Sequence, residues 1–294
     1  MKDQQWTIIR VLKWTTEYFA SRGIEQPRTD AEVLLAHVLG YKRLDLYLNF
    51  DQPLTKRELA TYREAIKRRA KREPVQYITG EQEFWSLPIK VTPAVLIPRP
   101  ETECLVEKAL EVARKLQICG KITHILEIGT GSGAISLALA KELQNVLVFA
   151  TDISPEALAL ARQNAINLNL HSKITFFASN LYDSLGSGAR EYFDIIVSNP
   201  PYISEKEYEK LPPEIKDFEP KKALFGGKDG MAVARKIILS GGKYLKPGGT
   251  MLLEIGYSQG QTFKDFAKSI AWISHVKIHR DYSGLDRVFA LGKK

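Results

Sequence analysis

Apolar positions in the first seventy residues recur every three or four places, whereas beyond residue 120 they gather into short unbroken runs that alternate with helical stretches. Ile8, Val11, Leu12 and Phe19 fall on one face of a helix, and Gly23 with Pro27 marks its end. A second helix is expected with Asp30 as its N-cap and Val33, Leu34, Val38 and Leu39 on its apolar face before Gly40. Thr55-Lys56-Arg57-Glu58 has the form of a capping box, in which the threonine oxygen and the glutamate side chain satisfy amide donors left over at a helix start. Leu59, Tyr62 and Ile66 follow as the buried stripe of that third helix. Residues 1–73 therefore read as a small helical bundle.

From Pro74 to Pro98 the runs shorten and are broken by Gly80, Pro88 and Pro93, as in a hairpin or extended connector. Residues 99–294 then alternate strands with helices. Strands are expected at Ile122–Ile128, Val146–Thr151, Ile174–Ala178, Phe193–Ser198 and Thr250–Ile255, the last after the turn Lys246-Pro247-Gly248-Gly249. Helices are expected at Ala134–Leu143 and Pro155–Leu168. Such alternation needs crossover connections, so this domain reads as α/β with a mixed, mainly parallel sheet covered on both faces. Ligands of these sheets bind beyond the carboxyl ends of the strands.

Length and composition fit two domains of an ordinary globular protein, with 294 residues, 44% hydrophobic and 26% charged. The apolar runs are too short to cross a bilayer and the amino terminus carries charges among its apolar residues, so neither a membrane span nor a secretory signal is expected and the address is cytoplasmic. Cys104 and Cys119 are the only cysteines and read as small core residues, with no disulfide framework or metal site. The net charge of +8 would suit an acidic partner. Eight basic residues against three glutamates between Lys56 and Glu73 concentrate that charge, and a solvated helix face is favoured over a dedicated binding stripe.

Glu127-Ile128-Gly129-Thr130-Gly131-Ser132-Gly133 follows the first of the alternating strands and opens a helix. Glycines there allow a tight turn and close approach of a ligand to the backbone. The loop alone does not choose between cofactors, because Gly129, Gly131 and Ala134 with Asp152 some twenty residues on also fit a dinucleotide-binding pattern. Charge discriminates. Asp152 can accept both ribose hydroxyls of an adenosine in either case, but Glu127 would repel a pyrophosphate and attract the sulfonium and ammonium of S-adenosylmethionine.

Phe193–Ser198 runs into Asn199-Pro200-Pro201-Tyr202 at the cleft edge. The two prolines fix the backbone and lack amide donors, so the Asn199 side chain and the Pro200 carbonyl form a rigid pair of acceptors for an NH2 group. Amide and aniline nitrogens are poor nucleophiles because their lone pair is delocalised; holding both N–H bonds lets the nitrogen pyramidalise towards an activated methyl carbon. Asn199 and Pro200 are thus the candidate catalytic groups, with Pro201 and Tyr202 completing a substrate-binding segment in which Tyr202 packs on the flat target. No metal is needed.

These motifs resemble the HemK/PrmC family, which methylates the glutamine of the Gly-Gly-Gln motif in peptide chain release factors of translation termination. The likeness extends through Gln76-Tyr77-Ile78-Thr79-Gly80, Glu83-Phe84, Leu96-Ile97-Pro98-Arg99-Pro100-Glu101-Thr102-Glu103, Phe218-Glu219-Pro220, Ala223-Leu224-Phe225-Gly226-Gly227, Asp229-Gly230 and Gly284-Leu285-Asp286-Arg287. It implies a Rossmann-like, class I S-adenosylmethionine-dependent methyltransferase domain preceded by a helical domain that grips the release factor. Gly129, Thr130, Gly131, Ser132, Gly133, Asp152 and Asn199 would hold S-adenosyl-L-methionine, leaving S-adenosyl-L-homocysteine as product. Asn180 and Leu181 would meet the adenine, although many relatives carry aspartate where this chain has Asn180. A monomer without stable nucleic-acid binding is expected; the competing expectation is a DNA or RNA methyltransferase acting on the exocyclic nitrogen of adenine or guanine.

Overall fold

The structure, a computed structural model, describes residues 5–117 and 121–294. The chain forms two compact units, one of residues up to Glu81 together with Pro212–Phe218, the other of Gln82–Leu211 and Glu219–Lys294.

The first unit is helical: α1 (Ile8–Ser21), α2 (Pro27–Leu39), α3 (Arg43–Leu48), α4 (Lys56–Ala70) and α5 (Val75–Thr79). Ile8, Val11, Leu12 and Phe19 are buried as the periodicity predicts, against Leu34, Leu35, Tyr62 and Ile66. The Thr55 capping box forms, with Thr55 Oγ1 accepting from the Glu58 amide at 3.3 Å and Glu58 Oε2 accepting from the Thr55 amide at 2.7 Å. Asp30 is not an N-cap. Pro27, whose missing amide donor is no loss at the first helical position, starts α2 three residues earlier. Asp30 instead lies in the first turn, and its carboxylate accepts from Arg69 Nε at 2.7 Å. Within the expected extended connector the chain makes α5, because Val75 and Ile78 share a face that joins the bundle core.

The basic stretch of α4 is less solvated than its composition suggests. Lys67 and Arg68 pair with Glu64 and Glu73, while Arg69, buried, and Arg72 both hold Glu214 of the short helix Pro213–Lys216. A segment from the middle of the chain is thereby part of the helical unit.

The second unit begins with a hairpin, β1 (Glu81–Phe84) and β2 (Leu87–Lys90), followed by α6 (Glu103–Gln117), β3 (Thr123–Ile128), α7 (Ala134–Glu142), β4 (Val146–Asp152), α8 (Pro155–Asn167), β5 (Ile174–Ala178), β6 (Phe193–Ser198), β7 (Leu245–Glu254), β8 (Ile273–Arg280) and β9 (Asp286–Lys293). Strands β3 to β9 form one sheet in the order β5-β4-β3-β6-β7-β9-β8. β3 to β7 are parallel, and β9 runs antiparallel to both β7 and β8. In β3 and β6 nearly every residue is buried, as in a sheet covered on both faces, whereas no residue of edge strand β8 is buried. β7 starts at Leu245, ahead of the expected Thr250, and absorbs the Lys246–Gly249 turn as a register shift against β6. Helices Ala232–Gly241 and Gly260–Ala267 complete the unit. Cys104 is buried in α6; Cys119 lies outside the described residues. No helix among the described residues is long and apolar enough to cross a membrane.

One buried side chain ties this scaffold to the glycine loop. Asn164 of α8 donates to the Ser132 carbonyl at 2.9 Å and exchanges two hydrogen bonds with the Lys90 backbone. Replacing it strands three backbone groups, each of which costs about 1–3 kcal/mol if left dry. Asn164→Leu is expected to lower unfolding stability by roughly 3 kcal/mol or more, measured by urea denaturation; a loss below about 1 kcal/mol would show that water replaces the contacts.

Candidate active site

The strand order reverses between β3 and β6: β4 and β5 follow β3 to one side, β7 follows β6 to the other. Loops leaving the carboxyl ends at such a reversal diverge and leave a crevice. Here the two loops are residues 129–133 and 199–202, the segments that carried the chemistry in the sequence. A cavity of about 890 Å³ lies between them, lined by Gly129, Thr130, Gly131, Ser132, Asp152, Asn180, Leu181, Asn199, Pro200 and Pro201 among others. That volume is at the upper end of small-molecule sites.

Gly129, Gly131 and Gly133 all have left-handed backbone angles, with φ of 76°, 55° and 86°. A side chain would be strained there. The turn is pinned by the Gly129 and Thr130 amides, each donating to the Thr151 carbonyl at 2.8 Å. Gly133 does not line the cavity; it starts α7, and a β-carbon on it would press on Ala161 of α8. Its contribution is close helix packing. Asp152, ending β4, accepts from the Gly131 amide at 2.8 Å and the Ser154 amide at 2.9 Å. A carboxylate offers about four acceptor sites, so two remain for a ligand.

Glu127 is 1% exposed. One oxygen, Oε2, accepts from the Thr130 hydroxyl at 2.7 Å, the Ser136 amide at 3.1 Å and the Ser136 hydroxyl. The other, Oε1, is buried without a partner in a residue that lines the cavity. Burial pushes the carboxyl up to about 7, against the pull of those hydrogen bonds. A buried acceptor left dry is costly, and a cationic donor in the cavity would relieve it.

Asn199 is half-buried and Pro200 buried. Asn199 Nδ2 donates to Thr102 Oγ1 at 3.2 Å, which turns the amide oxygen away from that contact. Among the described residues, neither Asn199 Oδ1 nor the Pro200 carbonyl accepts a hydrogen bond. Tyr202 is placed otherwise than expected: it is not among the cavity-lining residues, and its hydroxyl donates to Glu254 Oε1 at 3.2 Å, with its carbonyl accepting from Gln259 Nε2 at 3.0 Å. Burial and the neighbouring Glu254 charge push the phenol far above its ordinary range. Behind this segment runs the loop with Gly226 and Gly230, whose absent side chains make room for the Pro201 and Tyr202 carbonyls.

At the far wall, Leu181 has a left-handed φ of 55°, with its carbonyl accepting from the Ser179 hydroxyl, and Asn180 Nδ2 donates to Asp183 at 3.1 Å. Several site residues were not singled out individually by sequence pattern. Thr102 and Arg99 line the cavity, Arg99 pairs with buried Glu219, and Glu219 also accepts from the Ile97 amide. Glu254 is 1% exposed and, like Glu127, is a carboxylate at the carboxyl end of an apolar strand; that shared pattern is the signal that could have found it.

Residues 10–80 match the model of the PrmC N-terminal domain and residues 107–212 that of the methyltransferase small domain. The chain is 43% identical to the release factor glutamine methyltransferase of Geobacter sulfurreducens over 98% of its own length and 97% of the relative's. It is 38% identical to the protein of that name from Rhodopirellula baltica, covering 99% and 98%, and 42% identical to that of Vibrio cholerae, covering 96% and 95%. Among solved structures, the catalytic domain of hMettl16 in complex with MAT2A 3′UTR hairpin 6 superposes with a TM-score of 0.57 at 18% identity, covering 76% of this chain and 81% of that one. That likeness concerns the fold, a class I methyltransferase sheet. With near-complete coverage by relatives of one kind and both domain models in place, the chain belongs to the HemK/PrmC family of release factor glutamine methyltransferases.

Proposed function

We propose that this enzyme transfers a methyl group from S-adenosyl-L-methionine to the side-chain amide nitrogen of the glutamine in the Gly-Gly-Gln motif of peptide chain release factors. The observation that carries this reading is the pair of unengaged acceptors, Asn199 Oδ1 and the Pro200 carbonyl, at a cavity whose opposite wall holds Glu127 and Asp152. The residues present suit the methyl donor. The dry Glu127 Oε1 suits a cationic group, and Asp152 retains acceptor sites for ribose hydroxyls. Asn180 and Leu181, which line the same cavity, are assigned to the adenine. When bound, the donor supplies an electrophilic methyl carbon on a sulfonium, a good leaving group.

The remaining work falls to the chain. Asn199 Oδ1 and the Pro200 carbonyl accept the two N–H bonds of the target amide, draw its nitrogen out of conjugation and aim the lone pair into the cavity. Fixed geometry of this kind is worth on the order of 7–11 kcal/mol of barrier. Pro200 and Pro201 keep the acceptors from relaxing between turnovers. Tyr202, bound to Glu254, braces the loop from behind. Gripping of the release factor is assigned to the helical unit, which exposes Leu44, Tyr47, Leu48 and Phe50 around α3. A monomeric enzyme in the cytoplasm accords with this reading.

Asn199→Ala is expected to reduce methyl transfer from labelled donor to a purified release factor by roughly 10²-fold or more, with donor affinity by calorimetry within about threefold. Unchanged turnover would remove Asn199 from the mechanism. Glu127 supplies an independent check. Its folded pKa, about 7, lies above its ordinary 4.5, so the native state binds the extra proton and stability falls as pH rises through that window. Relative to the parent, Glu127→Gln should gain stability between pH 5 and 8 by on the order of 3 kcal/mol at most, and should bind the methyl donor more weakly. A pH-independent difference in urea denaturation would mean that Glu127 ionises normally.

A further inference from the structure

The acceptor role of Asn199 depends on which end of its amide faces the cavity. A carboxamide has a donor end and an acceptor end of nearly the same shape, and a half-turn about its last torsion exchanges them. Only the observed orientation, with Nδ2 on Thr102 and Oδ1 free, presents an acceptor. Thr102 alone does not enforce that orientation, because a hydroxyl can donate as readily as it can accept. Something must decide where the Thr102 proton goes.

The strand register places a candidate beside it. Ser198 of β6 pairs with Leu253 of β7, so Asn199 and Glu254 come next on neighbouring strands. Glu254 is 1% exposed; Oε1 accepts from Tyr202, and Oε2 is buried without a hydrogen-bond partner among the described residues. The Thr102 hydroxyl acts on the same carboxylate and pulls its pKa down. Thr102 is itself 4% exposed, fixed in the turn Pro100–Thr102 ahead of α6. Water is largely kept from both groups.

We propose that Glu254 is a positioning residue: its carboxylate takes the Thr102 proton on Oε2, which leaves the Thr102 oxygen only as an acceptor for Asn199 Nδ2 and so points Asn199 Oδ1 into the cavity. The negative charge of one buried acid is thus passed through a single hydroxyl and becomes the polarity of a neutral amide. No proton moves during turnover. This extends the reading of Asn199 given above and rests on it for its effect on methyl transfer, but not for the hydrogen-bond geometry.

The state of Glu254 then matters. Arg287 from β9, Tyr202 from the catalytic loop, Glu101 from the turn Pro100–Thr102 and Cys104 from the start of α6 face it. Burial outweighs the attraction of Arg287 and the pull of the Thr102 and Tyr202 hydroxyls, and pushes the carboxyl up to about 7. Protonation below that pH frees the Thr102 hydrogen and lets the amide turn.

The test follows the Asn199 side-chain NH2 by NMR, assigned through its absence in Asn199→Ala. In the parent protein its resonances should move with a midpoint near pH 7. The movement should disappear in Glu254→Gln and Thr102→Val, survive in Thr102→Ser, and survive in Glu127→Gln, which removes a second carboxyl that burial pushes up to about 7. In the same variants kcat for a release factor should fall at least tenfold in Glu254→Gln and Thr102→Val at pH 8, with donor Kd within twofold and Thr102→Ser near the parent. Identical Asn199 resonances in the parent, Glu254→Gln and Thr102→Val would overturn the relay. A parent protein that methylates no release factor would instead count against the proposed function, and the NMR arm would still decide the relay.

Discussion

The site depends on the reversal of strand order between β3 and β6. Parallel strands must be joined by crossovers, and where successive crossovers go to opposite sides the loops at the strand ends separate. In this chain that separation sets the glycine loop against Asn199-Pro200-Pro201-Tyr202, with the cavity between. The fixed angles of the prolines and the left-handed glycines are local devices. They work because the sheet beneath delivers both backbones to the same rim, and because Asn164 and the Gly226–Gly230 loop hold the two segments from outside.

Much of this was legible in the sequence, for identifiable reasons. Buried parallel strands announce themselves as unbroken apolar runs, so β5 and β6 fall where the pattern puts them and β3 and β4 within a residue. The α4 capping box is equally local. Signals failed where the determining interaction is distant along the chain. Asp30 looks like an N-cap because its partner Arg69 lies 39 residues away. The pairing of β8 and β9 at the sheet edge rests on tertiary contact, and β8, with most of its residues partly or fully exposed, carries no apolar run. In the site, Asn199, Pro200, Gly129, Thr130, Gly131, Ser132, Asp152, Asn180 and Leu181 meet at one cavity; Gly133 and Tyr202 do not line it. Tyr202 illustrates the limit. Its aromatic ring suggested a stacking surface, whereas its hydroxyl is drawn to a carboxylate 52 residues later that no spacing rule connects to it.

Glu127 and Glu254, two of the buried carboxylates of this unit, differ in kind. Glu127 lines the cavity and keeps one oxygen without a hydrogen-bond partner, so its cost of burial is available to be offset. Glu254 is set back from the cavity and surrounded by Tyr202, Thr102 and Arg287, so its charge acts on protein groups. A carboxylate that lines a cavity and one set behind the loop at its rim are separate uses of the same expensive element, the buried charge.

The Glu214 segment has a different kind of consequence. Pro212–Phe218 belongs to the helical unit although the residues on both sides of it belong to the sheet unit, so the covalent chain passes between the units three times. A helical fragment ending at Glu81 would lack Glu214, leaving Arg69 with the Asp30 carboxylate and the Glu73 carbonyl and Arg72 without its carboxylate. Neither half is a self-contained cassette, so recombination that exchanged the amino-terminal region between relatives would have to carry a matching acid at position 214 along with it.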